Sequence, residues 1–337
     1  MKLGDIARES RETYKGNKTD IPIVGLEHLI SGELRFNDYE VNTDNTFTKV
    51  FHKGQILFGR RRAYLKKAAV AEFDGICSGD ITVIEAIPGK VDARLLPFII
   101  QNDRLFAFAV SRSAGGLSPR VKWEHLADYG FELPSIEEQR VLADKLWAAY
   151  ELKEAYKKMI AATDEMVKSQ FIEMFGDNNT VSLCDVAHIT MGSSPDSEYY
   201  NENGEGLPFY QGKTEFGDMY IKPAVIFCTE PVREADVNDI LMSVRAPVGA
   251  VNIAQEHCCI GRGLAAIRAK SEKMTPLFLY YALKIKEDNI AALGTGSTFK
   301  AINKDVVYSI QIPASTMDEQ QKFVAIAQQA DKSKYLN

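Results

Sequence analysis

The chain repeats itself at a spacing of roughly 180 residues, and this duplication limits the fold more than any other feature. Leu3-Gly4-Asp5-Ile6-Ala7 is answered by Leu183-Cys184-Asp185-Val186-Ala187, and Ile21-Pro22-Ile23 by Leu207-Pro208-Phe209. Gly54-Gln55-Ile56-Leu57 returns as Asn238-Asp239-Ile240-Leu241, and Leu96 to Ile100 as Leu277 to Tyr281. Each copy then runs through a Gly-rich turn and a basic residue, Arg120 or Lys300, to a short strand ending in proline. Glu137-Glu138-Gln139 follows in the first copy and Asp318-Glu319-Gln320 in the second. Solenoid repeats run to roughly 20–50 residues, so a period this long marks a duplicated domain. Two similar modules imply two similar ligands, or one ligand with two similar halves.

With 337 residues, 45% of them hydrophobic, the chain can bury two ordinary cores. No apolar run approaches the ~20 residues that cross a bilayer. Met1 to Ile6 lacks the apolar stretch of a signal peptide, so a cytoplasmic address is expected. Cys77, Cys184, Cys228, Cys258 and Cys259 have no framework spacing and read as buried thiols. The net charge of -6 argues against a uniformly basic coat. Charge is local, however. Lys53 to Val70 carries Lys53, Arg60, Arg61, Arg62, Lys66 and Lys67 with no acid, whereas Glu137 to Asp177 is rich in acids.

Residues 1–134 read as a strand-rich domain. Gln55 to Phe58 and Asp80 to Ile84 are strand-like, Leu95 to Val110 is a helix, Trp123 to Leu126 a helical turn, and Tyr129 to Leu133 a strand stopped by Pro134. Residues 135–177 differ in kind. No Gly or Pro interrupts Ser135 to Phe175, and Ser135 with Glu138 forms a capping box. Leu142, Leu146, Ala149, Tyr156, Ile160, Thr163, Val167, Phe171 and Met174 recur at mostly helical steps, predicting one helix of about 40 residues and roughly 60 Å. So long a helix needs its stripe covered. Residues 178–314 repeat the first domain, with Asp196 to Gly206 as a polar loop. Residues 315–337 restart the helix through Phe323, Ile326, Ala327 and Ala330 at about half its length. The expected fold is α+β: two similar strand-rich mixed α/β domains in pseudo-twofold relation, separated by long helices that pair as an antiparallel coiled coil.

These residues resemble the specificity subunits of type I restriction–modification enzymes. The Leu3–Ala7 opening, the Gly-Gln-Ile-Leu and Asn-Asp-Ile-Leu pieces and the Gly294 to Ile302 run carry the resemblance. So does Leu133 to Gln139 leading into the long helix, echoed by Ile312-Pro313 through Gln320. The resemblance covers essentially the whole chain. It implies a non-catalytic protein in which each globule is a target recognition domain that reads half of a split site in double-stranded DNA. The helices then space the domains and dock two methyltransferase subunits, with restriction subunits joining outside them. The second helix departs from the family by being shorter than its usual C-terminal helix.

Reading two half-sites needs two readers at a fixed separation, which a stiff helix sets better than a flexible linker. Arg60, Arg61 and Arg62 with Lys66 and Lys67 are the first domain's candidates for phosphate or guanine contact, the alternative being a solvated basic loop. Tyr64 suits stacking or core packing equally. In the second domain Ser243-Val244-Arg245 aligns with Gly59-Arg60-Arg61, which makes Arg245 a DNA contact or an internal ion pair. Arg262 lies on a glycine-flanked loop, and Gln211 and Lys213 offer an adenine-reading amide and a phosphate-binding cation. The Gly-rich turns, with Gly116, Ser118 and Arg120 in one copy and Gly296, Thr298 and Lys300 in the other, suit a backbone clamp on phosphate or a plain structural turn. Trp147, Tyr150 and Tyr156 are candidate partner anchors on the long helix.

Enzymatic leads fail. The chain has no Pro-Pro for an adenine methyltransferase motif. Pro195-Asp196 with Gln211-Gly212-Lys213 lacks the acid before lysine of a nuclease metal site. Cys184, His188, His257, Cys258 and Cys259 fit no zinc spacing, so neither metal nor cofactor is expected. Two rival readings stay open: a two-headed protein-binding scaffold, and a stand-alone nuclease.

Overall fold

The apolar runs Ile56–Gly59 and Ile240–Ser243 become inner strands of two sheets built on one plan. The computed structural model describes residues 1–296 and 300–335 and divides into two units, Met1–Ala155 and Tyr156–Asn337. The first unit contains β1 (Ala7–Glu9), β2 (Ile23–Val24), β3 (Arg35–Phe36), β4 (Lys49–Phe51), β5 (Ile56–Gly59), β6 (Ala68–Ala71), β7 (Gly75–Cys77) and β8 (Ile81–Ala86). Helices α1 (Leu96–Ile100), α2 (Asp103–Ser111) and α3 (Trp123–Ala127) follow, and α4 (Ile136–Phe175) runs past the unit boundary. One sheet has the order β1-β8-β5-β6-β3 and a smaller one β2-β7-β4.

The second unit contains β9 (Thr180–Ser182), α5 (Leu183–Val186), β10 (Ala187–Met191), β11 (Tyr200–Asn201), β12 (Leu207–Tyr210), β13 (Phe227–Cys228), β14 (Glu234–Ala235) and β15 (Ile240–Ser243). Then come β16 (Val251–Ile253), β17 (Cys258–Ile260), β18 (Leu264–Ala269), α6 (Pro276–Ile285), α7 (Glu287–Ala292), α8 (Lys304–Tyr308), β19 (Gln311–Pro313) and α9 (Met317–Tyr335). Its sheets run β10-β18-β15-β16, β11-β13-β12-β17-β14 and β19-β9. The central strands of the two plans correspond. Ile56 faces Ile84 as Ile240 faces Ile267, and the parallel β2–β7 pair returns as β12–β17. Beside those isoleucines, Gln55 donates to Glu85 in one unit, while Asp239 accepts from Arg268 in the other. The duplicated frame thus holds the same polar position with different chemistry.

The echoed Glu-Glu-Gln and Asp-Glu-Gln motifs have a physical reason. Ser135 N–H donates to Glu138 at 2.9 Å and Thr316 N–H to Glu319 at 2.8 Å, so each long helix begins with a capping box. The following glutamine is buried. Gln139 Oε1 accepts from Asp92 N–H at 3.0 Å while Nε2 donates to the Pro134 carbonyl; Gln320 does the same with Thr275 N–H and Lys273. Each amide therefore fastens its helix to the loop ahead of α1 or α6.

Several expectations need correction. The helix expected over Leu95 to Val110 is two, because Asn102 caps Arg104 N–H and restarts the chain as α2. The strand expected at Tyr129 to Leu133 reduces to a bridge between Gly130 and Lys2, whereas its counterpart β19 pairs fully with β9. The loop at Asp196 to Gly206 contains the short strand β11. On α4 the buried side chains are Gln139, Ala143 and Tyr150, then Val167, Phe171 and Phe175, while Leu142 and Ile160 are exposed. No residue from 151 to 166 is buried. The last turns of α4 belong to the second core, where Phe171 and Phe175 meet Phe278 and Phe323 at centroid distances of 5.0–5.8 Å. On α9, Phe323, Ala327 and Ala330 are buried but Ile326 is not. Four cysteines are buried and Cys184 is half-buried. No helix among the described residues is long and apolar enough to cross a membrane.

Candidate nucleic-acid interface

In the first unit β5 ends at Gly59 and delivers Arg60, Arg61 and Arg62 to the Gly-rich turn. Ala114 and Arg120 close that turn through reciprocal backbone hydrogen bonds of 3.0 and 2.9 Å. Val121 N–H donates to the Arg60 carbonyl and Arg62 N–H to the Pro119 carbonyl, which docks the turn on the strand end. Arg61 Nη2 reaches Ser118 Oγ at 3.1 Å. Gly115 has a φ of 119°, a conformation that favours glycine. Arg62 and Lys66, at φ of 53° and 50°, bracket the exposed Tyr64 and Leu65; left-handed non-glycine residues cost about 1–2 kcal/mol each and gather at functional sites. Gly116 and the 96% exposed Leu117 form the open tip.

The basic run is less free than its sequence suggests. Asp80, brought in by β8, accepts from Arg120 Nε at 2.7 Å and from Arg61 Nη1 at 3.4 Å. The Arg120 hydrogen bond holds the Asp80 carboxyl below the usual carboxylate range against the opposing effect of burial. Lys66 pairs with Asp103 at 2.6 Å, and Lys67 donates to the Leu26 carbonyl. The expectation of an unneutralised run is thus corrected: acids distant in sequence meet it in space. Arg60 and Arg62 form no ion pair among the described residues, leaving a net positive surface.

The second unit closes its corresponding segment with matching bonds. Thr295 and Ala301 exchange hydrogen bonds of 3.0 and 2.9 Å, Ile302 N–H donates to the Val244 carbonyl, and Arg245 bridges Ala301. Arg120 therefore corresponds to Ala301, not to Lys300 as the sequence suggests; the register is one residue off. Gly296 has a φ of 126°, Lys300 is exposed, and Thr298 lies outside the described residues. Asp80 has no counterpart: its carbonyl accepts from Arg60 N–H just as the Gly263 carbonyl accepts from Val244 N–H. Arg245 consequently makes no ion pair among the described residues.

Four candidates proposed separately from the sequence meet here. Gln211, Lys213, Arg245 and Arg262 line one open cleft of about 520 Å³, with Ser243 and Gly263. Its floor depends on close backbone approach, since a Cβ on Gly263 would lie 2.2 Å from the Gln211 carbonyl oxygen. Lys213 stands 3.9 Å from Glu287, whose carboxylate pairs more closely with Lys284 at 2.9 Å. Sequence reasoning missed Ser194, whose Oγ accepts from Gln211 Nε2 at 3.3 Å and Arg262 N–H at 3.2 Å. A lone serine in a loop carries no signal for such a role.

Two of the proposed partner anchors make contacts within the first unit. Trp147 donates to the Arg94 carbonyl at 2.8 Å, packs on Phe98 and lies under the Arg35 guanidinium, and Tyr150 is 7% exposed. Both pack against the first unit's flank, and Tyr156 is half-buried. No group of three potential metal ligands exists among the described residues. His257 is held between Asp236 and Glu234, and burial pushes the Cys258 thiol up to about 12, away from the thiolate a metal needs.

The family described as type I restriction modification DNA specificity domain matches residues 1–161 and again 176–336. Over 297 residues the chain is 32% identical to a putative type I restriction enzyme MjaX specificity subunit of Methanocaldococcus jannaschii, covering 79% of this chain and 69% of that one. The MjaIX specificity subunit of the same organism is 26% identical over 160 residues, 44% of this chain and 37% of that one. A chain from a structure on complex assembly and conformational transition of the type I R-M system aligns over 99% of this chain and 90% of its own, at 28% identity and a TM-score of 0.58. The S subunit from M. genitalium shares the fold at 14% identity and a TM-score of 0.59, over 99% of this chain and 89% of that one. A specificity subunit is the non-catalytic, DNA-recognising member of such an enzyme. The chain belongs to the type I restriction–modification DNA specificity family.

Proposed function

We propose that this chain reads a bipartite site in double-stranded DNA, each strand-rich region recognising one half. Residues 1–134 and 178–314 act as target recognition domains. The spacers over 135–177 and 315–337 pair as an antiparallel coiled coil that sets them in pseudo-twofold relation, docks two methyltransferase subunits and leaves the restriction subunits outside. The observation that carries this reading is the grip built twice: a strand end bearing arginine, locked to a Gly-rich turn by three corresponding backbone hydrogen bonds. Cationic side chains beside exposed turn backbone suit phosphate, and the Gln211 to Arg262 cleft suits base edges.

The test is affinity of the assembled complex for duplex DNA as a function of salt. Affinity should fall steeply, by about 0.9 log unit per phosphate contact for each log unit of salt. Replacing Arg60, Arg61 and Arg62 together with alanine should lower both affinity and slope while the subunits still assemble. Salt-independent affinity refutes the reading and favours a protein-binding scaffold, whereas a triple variant that binds like the parent removes Arg60, Arg61 and Arg62 from the interface.

A further inference from the structure

We infer that Gln211 is the second unit's adenine-reading side chain and that Ser194 is the residue that points it. This rests on the DNA-reading function proposed above. Gln211 follows β12, and its backbone is wedged between Gly261, whose N–H donates to the Tyr210 carbonyl, and Gly263. Its position is therefore fixed, and its side chain is exposed in the cleft.

A hydrogen bond to Ser194 at 3.3 Å orients its amide. A serine hydroxyl has one proton and two lone pairs. Nearby, Tyr200 gives its own proton to the Pro195 carbonyl at 2.8 Å. Ser194 Oγ accepts twice, once from Gln211 Nε2–H and once from Arg262 N–H. The amide is thereby held with Oε1 and its second N–H available to the cleft. That acceptor and donor match the N6 donor and N7 acceptor of adenine in the major groove. Arg262, tied to the same hydroxyl, and Arg245 supply the neighbouring cations.

The device exists in one unit only. Ser78 N–H donates to the Val24 carbonyl just as Gly261 N–H donates to the Tyr210 carbonyl, so Gln211 corresponds to Gly25, which has no side chain to read with. Adenine readout by this route is confined to one half of the site.

The experiment selects binders from a randomised duplex pool, using the full chain assembled with its methyltransferase subunits. The parent should return a two-part motif. Gln211→Ala should erase the preference at one A·T pair in one half, roughly tenfold or more, and leave the other half intact. Gln211→Glu should move that preference toward C·G, because a carboxylate accepts from the cytosine N4 amine. Ser194→Ala should blur the same pair, and Ser194→Thr, which keeps the hydroxyl, should restore it. An unchanged motif in both Gln211 variants overturns the assignment while DNA reading stands. Blurring that Ser194→Thr fails to rescue overturns the positioning role. A parent complex that selects no motif overturns the proposed function itself.

Discussion

Replacing Asp80 with asparagine should weaken the fold and strengthen the grip. The carboxylate accepts from Arg120 Nε at 2.7 Å and Arg61 Nη1 at 3.4 Å, and its side chain is 20% exposed. Shielded charge-assisted hydrogen bonds contribute about 1.5–3 kcal/mol. Here the arginine side chains are 39% and 45% exposed, so screening reduces the pair to about 1–2 kcal/mol in total. Asparagine keeps the backbone carbonyl that receives Arg60 N–H, so damage should stay local. Because the carboxyl is held below its ordinary range, its contribution is complete near neutral pH and fades as pH falls through its folded-state value. The acid limb of the stability curve should therefore flatten in Asp80→Asn. DNA binding should move the opposite way. One fewer acid leaves Arg61 and Arg120 free to release counterions, steepening the logarithmic salt slope by about 1. Fluorescence anisotropy of the assembled complex on non-specific duplex, from about 50 to about 200 mM salt, reads that slope directly. An unchanged or shallower slope in a variant with parental circular dichroism would refute the idea that this turn faces phosphate.

Gly263→Ala places a methyl 2.2 Å from the Gln211 carbonyl and should cost about 1–3 kcal/mol; sequencing of selected duplexes should show only one half of the motif degraded. Gln320→Ala leaves Thr275 N–H without its acceptor and should lower stability by about 1–3 kcal/mol, visible as an earlier denaturant midpoint. His257 is raised above its ordinary value, first by its hydrogen bond to Asp236 and then by Glu234. A raised group stabilises fully below the unfolded value of about 6.5, and that contribution is lost as pH rises through the folded value. Thermal midpoints should therefore decline from about pH 6 to about pH 8 more in the parent than in His257→Asn.

Much of this molecule is legible in its residues. The duplication, the central strands, the long helix and its capping box follow from spacing, glycine placement and an uninterrupted apolar period. What escapes is whatever depends on residues remote in sequence. Asp80 neutralises Arg61 and Arg120 only because β8 lies beside β5. The one-residue slip between Arg120 and Lys300 appears only when the turn's hydrogen bonds are traced. Trp147 looks like an outward anchor until Arg94 and Phe98 are found beneath it. The gathering of Gln211, Arg245 and Arg262 needs a parallel β12–β17 pair that no local pattern announces. Ser194 acquires meaning only through Gln211 and Arg262.

Helices ordinarily fray from their first turn, where amide protons lack acceptors. In this chain the buried glutamines act as dowels driven through that weak point. A twist applied along α4 or α9 is therefore delivered into the loop ahead of α1 or α6, and the fraying that would dissipate it is suppressed. Slow amide exchange should extend to the first turn of each long helix, a place where fast exchange is the rule.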